Sequence, residues 1–268
     1  MSEFQNTEDL KIIELCGCSN SSRGFDDRPP ILYKYRIWDK GNDKDLLKTG
    51  TIVFSRPDSF EDPFDCHLPE IYPQGIELLN FYLKDSLEKN PHYNEHQHFE
   101  YAIYWYFNSP MQDSSRTMLI DVEFWKRFNE EHGVLCLCKT ADISEMWEKY
   151  ANQYKGYCVG FDAEKLSEQF SGHEVVYCSG IPTIDFINDP DETKIIKEIY
   201  YKSSWWDFEK EYRYFICGHG VKLSDSDRLF SVGEYIKEVH LGRDMANDER
   251  KVIKDIVKKN YPNAIIID

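Results

Sequence analysis

The spacing of hydrophobic residues changes repeatedly along the chain, between the two-residue period of a strand and the roughly 3.6-residue period of a helix. Strand-like runs rich in β-branched and aromatic residues occur at 31–37, 49–55, 134–138, 157–161, 174–177, 209–217, 236–241 and 264–267. Helical spacing occurs at 75–107, with a break near Pro91, and at 121–132, 142–156, 189–201 and 247–260. Because hairpins alternate with helices, we expect an α+β fold with a central mixed or mainly antiparallel sheet flanked by helices.

The chain divides into two regions of different character. Residues 1–29 are polar and mixed in composition, which predicts a loose lead-in. Residues 30–268 show no repeat period and no low-complexity linker, so we expect one α+β domain with a helical insertion at about 75–132. Two local expectations concern the helices. Asp142 and Glu145 form the pattern of a capping box. The helical insertion carries two apolar stripes, the first with Leu78, Leu79, Tyr82 and Leu83 and the second with Phe99, Ile103 and Tyr106.

The run from 205 to 216 carries a row of charges within apolar sequence. In an extended strand, its alternation places Glu209, Glu211 and Arg213 on the same side, with successive Cα atoms roughly 6.6 Å apart. Two carboxylates and a guanidinium at that spacing can converge on one small polar ligand. The alternative is a solvent-facing edge strand with an ion pair along it. The sequence leaves both interpretations open.

The charge balance narrows the choice of partner. The formal net charge is -16 and the pI is near 5.0, which opposes a broad surface for nucleic acid but allows a local basic pocket. A small-molecule ligand fits this balance better, and we expect a small anionic ligand to bind near Arg36, Glu211 and Arg213. No apolar run approaches the roughly 20 residues that a membrane span needs, and the N-terminus lacks a basic-then-apolar signal pattern. We therefore expect a cytoplasmic protein without a membrane partner.

The eight cysteines are too sparse for a disulfide scaffold in a chain of this length, so we expect reduced thiols. Two Cys-x-Cys pairs, at 16–18 and 136–138, have one intervening residue, whereas zinc pairs usually have two to four. His92 and His96 have metal-compatible spacing only if they share a helix, and a solvated helix start beginning near Pro91 is the simpler interpretation. We expect no metal cofactor.

Four spaced motifs occur in a recognisable order. They are Leu32-Tyr-Lys-Tyr-Arg36, the loop 54–65, Trp147-Glu-Lys-Tyr150 running into Gly156-Tyr-Cys-Val-Gly-Phe161, and 206–213. In this combination the chain resembles the bacterial family called domain of unknown function 2971, over roughly residues 31–243. That resemblance implies a fold family and a context of bacterial, including antiviral, defence. Within the loop, we expect Phe60 and Phe64 to be anchors, and Asp62 or Asp65 to bind backbone amides or the guanidinium of Arg36 or Arg213.

A more distant resemblance concerns an arginine on an early strand, a serine on the next and a Glu-x-Glu near the start of a late strand. This layout is similar to that of ADP-ribosyltransferases, although here the serine motif reads Phe-Ser-Arg-Pro. The resemblance implies NAD as the substrate, because carboxylates can stabilise the oxocarbenium-like centre that forms when nicotinamide departs. In this layout Arg36 would bind the pyrophosphate, and Ser55 would support the strand or the glutamate. Glu211 would contact the ribose hydroxyls, and Glu209 would orient the acceptor. Tyr150 or Trp147 would stack on nicotinamide, and Arg213 would bind the ligand.

These observations lead to one favoured function and two alternatives. The favoured function is an NAD-utilising ADP-ribosyltransferase-like enzyme or NAD glycohydrolase, in the setting of a bacterial defence or toxin effector, with its acceptor macromolecule unidentified. The first alternative is a non-catalytic ligand sensor or interaction module of a defence or regulatory system. The second is a metal-dependent hydrolase or nuclease using Asp62, Asp65, Glu209 and Glu211 as oxygen ligands.

Overall fold

The computed structural model describes residues 28–268. Its strands are β1 Ile31–Arg36, β2 Thr51–Val53, β3 Glu70–Ile71, β4 His132–Cys138, β5 Tyr157–Asp162, β6 Ser171–Glu174, β7 Val176–Cys178, β8 Ile184–Asp185, β9 Tyr201–Ser203, β10 Glu211–Cys217, β11 Leu229–Ser231, β12 Ile236–Leu241 and β13 Ile265–Ile267. Its α-helices are α1 Leu46–Thr49, α2 Gly75–Lys89, α3 Glu95–Asn108, α4 Ser114–Glu131, α5 Ser144–Tyr150, α6 Ala163–Gln169, α7 Asp191–Tyr200 and α8 Asn247–Asn260. The predicted lead-in, 1–29, lies almost wholly outside the described residues.

A seven-stranded sheet organises the fold, in the order β13-β12-β5-β1-β4-β10-β6. All neighbouring strands in it are antiparallel except β12 and β13, which are parallel. Three two-stranded ribbons, β2 with β11, β3 with β8 and β7 with β9, lie beside this sheet. The expected α+β fold with a mainly antiparallel sheet and flanking helices is confirmed.

The two faces of the central sheet pack against different helices. On one face, Leu32, Val159 and Tyr214 join a large core with Ile253 and Val257 of α8. On the other face, a smaller core forms around α5, and its members include Tyr35, Cys138, Trp147 and Cys158. A third core, between the loop before β3 and helices α4 and α7, includes Cys66, Leu68, Phe128 and Ile199. The sheet is therefore covered on both faces near its centre.

Helices α2, α3 and α4 follow one another between β3 and β4, and we call these three helices the helical layer. The predicted break near Pro91 is confirmed, because α2 ends at Lys89 and α3 begins at Glu95 after an Asn94 capping box. The predicted second stripe was wrong for two of its three residues: Tyr106 packs on the core between α2 and α3, but Phe99 and Ile103 are exposed. His98 and Ala102 are buried instead, because the small alanine allows close packing on α2 and His98 Nδ1 bonds the Ser86 hydroxyl at 2.9 Å.

The segment around α5 is shorter than its apolar spacing predicts. The helix ends at Tyr150, and Asn152, Gln153 and Tyr154 then take positive φ angles of 49°, 53° and 62°. Gly156 follows because a Cβ atom there would lie 2.1 Å from the carbonyl oxygen of Arg36. The predicted capping box was also wrong, since the residue before the helix is Ile143 and no side chain caps it. Tight turns before β5 override the helical periodicity.

No helix in the described part of the chain is both long enough and apolar enough to cross a membrane.

Candidate functional site

Glu209 and Glu211 lie on different elements and not on one strand. A 3₁₀ turn, Ser204–Glu209, contains the first glutamate, and β10 begins at the second. Between them Lys210 has a φ of 44°, in the left-handed region. The strand predicted at 209–217 is present but begins two residues later, and Glu209 was wrongly placed on it, because Lys210 interrupts the extended backbone that alternation requires. The two glutamate side chains nevertheless meet at one buried lysine.

The guanidinium of Arg213 joins two carboxylates in the protein interior. Its Nη1 and Nη2 donate to the two oxygens of Asp65 at 2.7 and 2.8 Å, and its Nε donates to Glu211 Oε2 at 2.7 Å. Nη1 also donates to the carbonyl oxygen of Ile199 at 2.7 Å. A fork that donates to both oxygens of a carboxylate is the pairing for which arginine is best shaped. The expectation that Asp62 or Asp65 binds a guanidinium is confirmed for Asp65 with Arg213.

Lys202, on β9, connects the same carboxylates to Glu209. Its Nζ lies 2.6 Å from Glu209 Oε2, 2.6 Å from Glu211 Oε1 and 2.9 Å from Asp65 Oδ2. All of these residues are at most 5% exposed. We call this group the buried ion cluster, and its members are Asp65, Lys202, Glu209, Glu211 and Arg213.

Two tyrosines hold the glutamates from outside the buried ion cluster. The Tyr150 hydroxyl, at the end of α5, donates to Glu209 Oε1 at 2.5 Å. The Tyr177 hydroxyl, on β7, accepts a hydrogen bond from the backbone N–H of Glu211 at 3.0 Å. Because β7 pairs with β9 and brings Tyr177 opposite Lys202, the ribbon places both side chains at the cluster. Tyr150 is half-buried, so its side chain lies between Glu209 and the protein surface.

The two glutamates have opposite pKa shifts. Burial, the hydrogen bond with Glu211 and the charge of Glu211 raise the pKa of Glu209 to about 7. Burial also opposes ionisation of Glu211, but Arg213 and Lys202 hold the pKa of that carboxyl well below its usual range. Burial favours loss of the proton from Lys202, but Glu211 and Asp65 raise its pKa. Near neutral pH, Glu211 is ionised and Glu209 exchanges its proton.

The loop before β3 behaves partly as expected. Asp62 accepts a hydrogen bond from the backbone N–H of Phe64 at 3.0 Å, as expected for a residue that stabilises a turn. Phe60 packs on the third core, and its ring centroid lies 5.6 Å from Cζ of Arg213. Phe64 was wrongly predicted to be an anchor, since its side chain is exposed. One aromatic anchor is sufficient because the Asp65 carboxylate fixes the end of the loop.

Arg36 and Ser55 lie away from the buried ion cluster. Tyr33 on β1 is level with Glu211, because both pair with Cys138 of β4. Arg36 is three residues further along and two strands away, so its Cα lies roughly 14 Å from that of Glu211. The backbone of Ser55 bridges to Val134, which is level with Phe215, four residues or roughly 13 Å along β10 from Glu211. The structure therefore brings together Tyr150, Glu209, Glu211 and Arg213, together with Asp65 of the metal-site alternative, and leaves Arg36 and Ser55 apart from them.

Lys202 was not recognised from sequence, because it directly follows the predicted amphipathic helix 189–201 and falls in no predicted strand. Helix α7 ends at Tyr200, and Lys202 lies on the strand that follows, flanked by buried Tyr201 and Ser203. Counting charges could have identified Lys202. Two glutamates and an aspartate that pack around one arginine leave buried negative charge, so a second cation is required. A lysine within a buried tyrosine-rich run is the natural candidate for it.

The arrangement of carboxylates does not match a metal site. The described residues contain no group of three or more His, Cys, Asp or Glu side chains suited to hold a metal ion. The carboxylates of Asp65, Glu209 and Glu211 do converge, but the Lys202 ammonium occupies the position between them. Five described cysteines are free thiols as expected, namely Cys66, Cys136, Cys138, Cys158 and Cys178, and Cys16 and Cys18 lie outside the described residues.

Comparison with known proteins gives one match. Residues 146–214 are similar to a family described as a protein of unknown function, DUF2971. This region begins in α5 and ends in β10, so it includes Tyr150 and every member of the buried ion cluster except Asp65. No curated protein and no solved structure matches the chain.

Proposed function

We propose that this chain is an NAD-utilising enzyme of the ADP-ribosyltransferase type, with the buried ion cluster as its acid–base centre. The supporting observation is the opposite pKa shift of two carboxyls that share the Lys202 ammonium. When the surroundings of two neighbouring carboxyls separate their pKa values, the carboxyl with the higher pKa can act as the proton donor. The other stays ionised and supplies a fixed negative charge. A glycosyl transfer needs both roles at the carbon that loses its leaving group.

In this proposal Glu209 exchanges the proton and Glu211 supplies the fixed charge. A carboxyl with a pKa of about 7 can both give and accept a proton at neutral pH, which suits a general acid–base residue that deprotonates the acceptor. Glu211 stays ionised because Arg213 and Lys202 bind it, and its charge stabilises the developing oxocarbenium centre. Lys202 and Arg213 are saturated by carboxylates, so they position the glutamates and do not bind the pyrophosphate of NAD.

Access to Glu209 passes through Tyr150. Two surface grooves, of about 430 and 690 Å³, are lined by other parts of the fold and include no member of the buried ion cluster. The ligand therefore reaches Glu209 when the Tyr150 hydroxyl releases Oε1, and a substrate hydroxyl takes over that hydrogen bond. Tyr150 ends helix α5, where the chain leaves regular structure, so its side chain can turn away without unfolding the sheet.

The test is nicotinamide release from NAD by purified protein, with and without cell lysate as the source of acceptor. The Glu209→Gln variant should lose activity by about 100-fold or more, because the general acid–base residue is removed while the side chain keeps its size. Asp207→Asn is the matched control, since Asp207 is an exposed carboxylate on the same 3₁₀ turn. Wild-type protein that is inert in every condition, and whose melting temperature does not rise with NAD, would refute the proposal.

The interaction module is the second candidate, and the helical layer favours it. Phe99, Ile103 and Phe107 follow one another at four-residue spacing on α3, and all three are exposed, Phe107 by 75%. Further exposed apolar residues lie on α4, namely Met118, Leu119, Ile120 and Val122. Exposed apolar patches of this kind mark interaction surfaces. If NAD is neither cleaved nor bound, the helical layer becomes the functional surface and the buried ion cluster a purely structural one.

A further inference from the structure

A lysine lies over two aromatic rings above the buried ion cluster. The Nζ of Lys149, in the last turn of α5, is 4.0 Å from the ring centroid of Trp206 and 5.3 Å from that of Tyr150. It also lies 2.9 Å from a carboxylate oxygen of Glu61. A cation within roughly 6 Å of a ring centroid is attracted by the negative face of the ring, most strongly for tryptophan. Two rings and one carboxylate therefore surround a single positive charge.

These groups are open to solvent on one side. The side chain of Glu61 is 73% exposed and that of Lys149 is 29% exposed, while Trp206 and Tyr150 are half-buried. An ion pair this exposed holds its partners weakly. The lysine can therefore leave the rings, and another cation can reach them without any change in the core.

The net charge of the protein favours a cationic ligand. The buried ion cluster contains three carboxylates and two basic groups, so its net charge is -1 when Glu209 is ionised and zero when Glu209 is protonated. The centroid of Trp206 lies 5.0 Å from the Lys202 ammonium, which the three carboxylates of the cluster surround. The chain as a whole has a net charge of -16. A net negative charge of this size attracts positive ligands towards the protein.

We propose that Trp206, Tyr150 and Glu61 form a binding subsite for an organic ammonium cation, and that Lys149 is its internal competitor. A quaternary ammonium suits the subsite best, because its methyl groups cover the charge and reduce the cost of removing water, whereas a lysine ammonium is strongly hydrated. The subsite stands on these contacts alone and does not depend on the NAD chemistry proposed above.

The test uses choline as the probe and 3,3-dimethylbutan-1-ol, its uncharged carbon analogue, as the matched neutral ligand. The six tryptophans of the chain give six indole N–H signals in a ¹⁵N–¹H correlation spectrum. The signal of Trp206 is identified by its loss in Trp206→Phe. Choline should shift this signal saturably, and the neutral analogue should leave it in place.

Removing the competitor separates the subsite from general charge effects. Lys149→Met should bind choline about fivefold more tightly, since one exposed cation–π contact no longer competes. Lys210→Met removes the same charge beside the same 3₁₀ turn, where Lys210 pairs with Asp207 at 3.3 Å, and should change the affinity by less than about twofold. Glu61→Gln should weaken choline binding and provides a second test if Lys149→Met does not fold.

Three outcomes would overturn the inference: no saturable shift of the Trp206 signal in Lys149→Met, equal tightening in Lys149→Met and Lys210→Met, or equal binding of the neutral analogue. Because binding is read without turnover, failure here leaves the NAD proposal standing. Conversely, protein that is inert towards NAD can still bind choline. The two proposals therefore fail independently.

Discussion

Replacing Glu209 with glutamine should change how the stability of the fold depends on pH. In the folded protein, burial and the neighbouring Glu211 raise the pKa of Glu209 to about 7, from an ordinary value of 4.5. In the unfolded chain the carboxyl ionises near that ordinary value. Between these two pKa values the folded state binds more protons than the unfolded state, so the free energy of unfolding falls as the pH rises.

The size of this effect follows from the difference between the two pKa values. The stabilisation is complete below pH 4.5 and is lost as the pH rises through about 7. At about 1.4 kcal/mol per pKa unit, titration of Glu209 lowers the free energy of unfolding by roughly 2–3 kcal/mol between pH 5 and 8. Glu211 adds nothing in this window: although burial opposes its charge, Arg213 and Lys202 keep its pKa well below the usual range, so it is already ionised.

Urea unfolding followed by circular dichroism, at several pH values between 5 and 8, measures the effect. Glutamine keeps the size of the side chain but cannot ionise, so the difference between wild type and Glu209→Gln isolates this one carboxyl. Stability should fall more steeply with pH in the wild type than in the variant. Asp207→Asn should reproduce the wild-type curve, because Asp207 is exposed. Parallel curves for wild type and Glu209→Gln would show that Glu209 is already ionised at pH 5.

Three further predictions concern the core and the thiols. Trp147→Ala should lower the free energy of unfolding by about 3–5 kcal/mol, because the residue is only 8% exposed; an unchanged urea midpoint would mean that the ring lines an open pocket. Arg213→Met should cost about 3–5 kcal/mol, since it leaves Asp65 and Glu211 buried without their shared partner, and wild-type stability would mean that both carboxylates regain water. Thiol titration of denatured, non-reduced protein should find all eight cysteines free, and a lower count would reveal a disulfide.

Hydrophobic spacing was sufficient to locate most strands and helices, but not to decide which side of a helix is buried. Helix α3 carries apolar residues on more than one side, and spacing alone favoured the stripe through Phe99 and Ile103. The buried side is set by the neighbouring helix α2, whose Ser86 hydroxyl forms a hydrogen bond with His98. The order of the strands in the sheet could not be predicted from the sequence either. Strand β1 pairs with β4 and β5, which begin about 100 and 125 residues later.

The candidate site was predictable where its chemistry is local. Arg213 and the two glutamates lie within five residues, and an aspartate in a loop rich in proline and phenylalanine is a reasonable partner for a buried guanidinium. Lys202 was missed because nothing in its neighbourhood marks a lysine as buried until the carboxylates around it are known. Arg36 and Ser55 were grouped with the site by motif order, and motif order carries no information on register along a strand.

The origin of the cluster members along the chain has a consequence for synthesis. Lys202, Glu209, Glu211 and Arg213 leave the ribosome almost together, but Asp65 precedes Arg213 by 148 residues. At a synthesis rate of about 5–20 residues per second, roughly 7–30 s pass between the synthesis of Asp65 and that of the basic groups that neutralise its charge. During that time its charge favours a hydrated loop and keeps the neighbouring Cys66 and Leu68 from settling into a premature core. We therefore expect the third core to be completed only after Lys202 and then Arg213, the two basic groups that pair with Asp65, have been made.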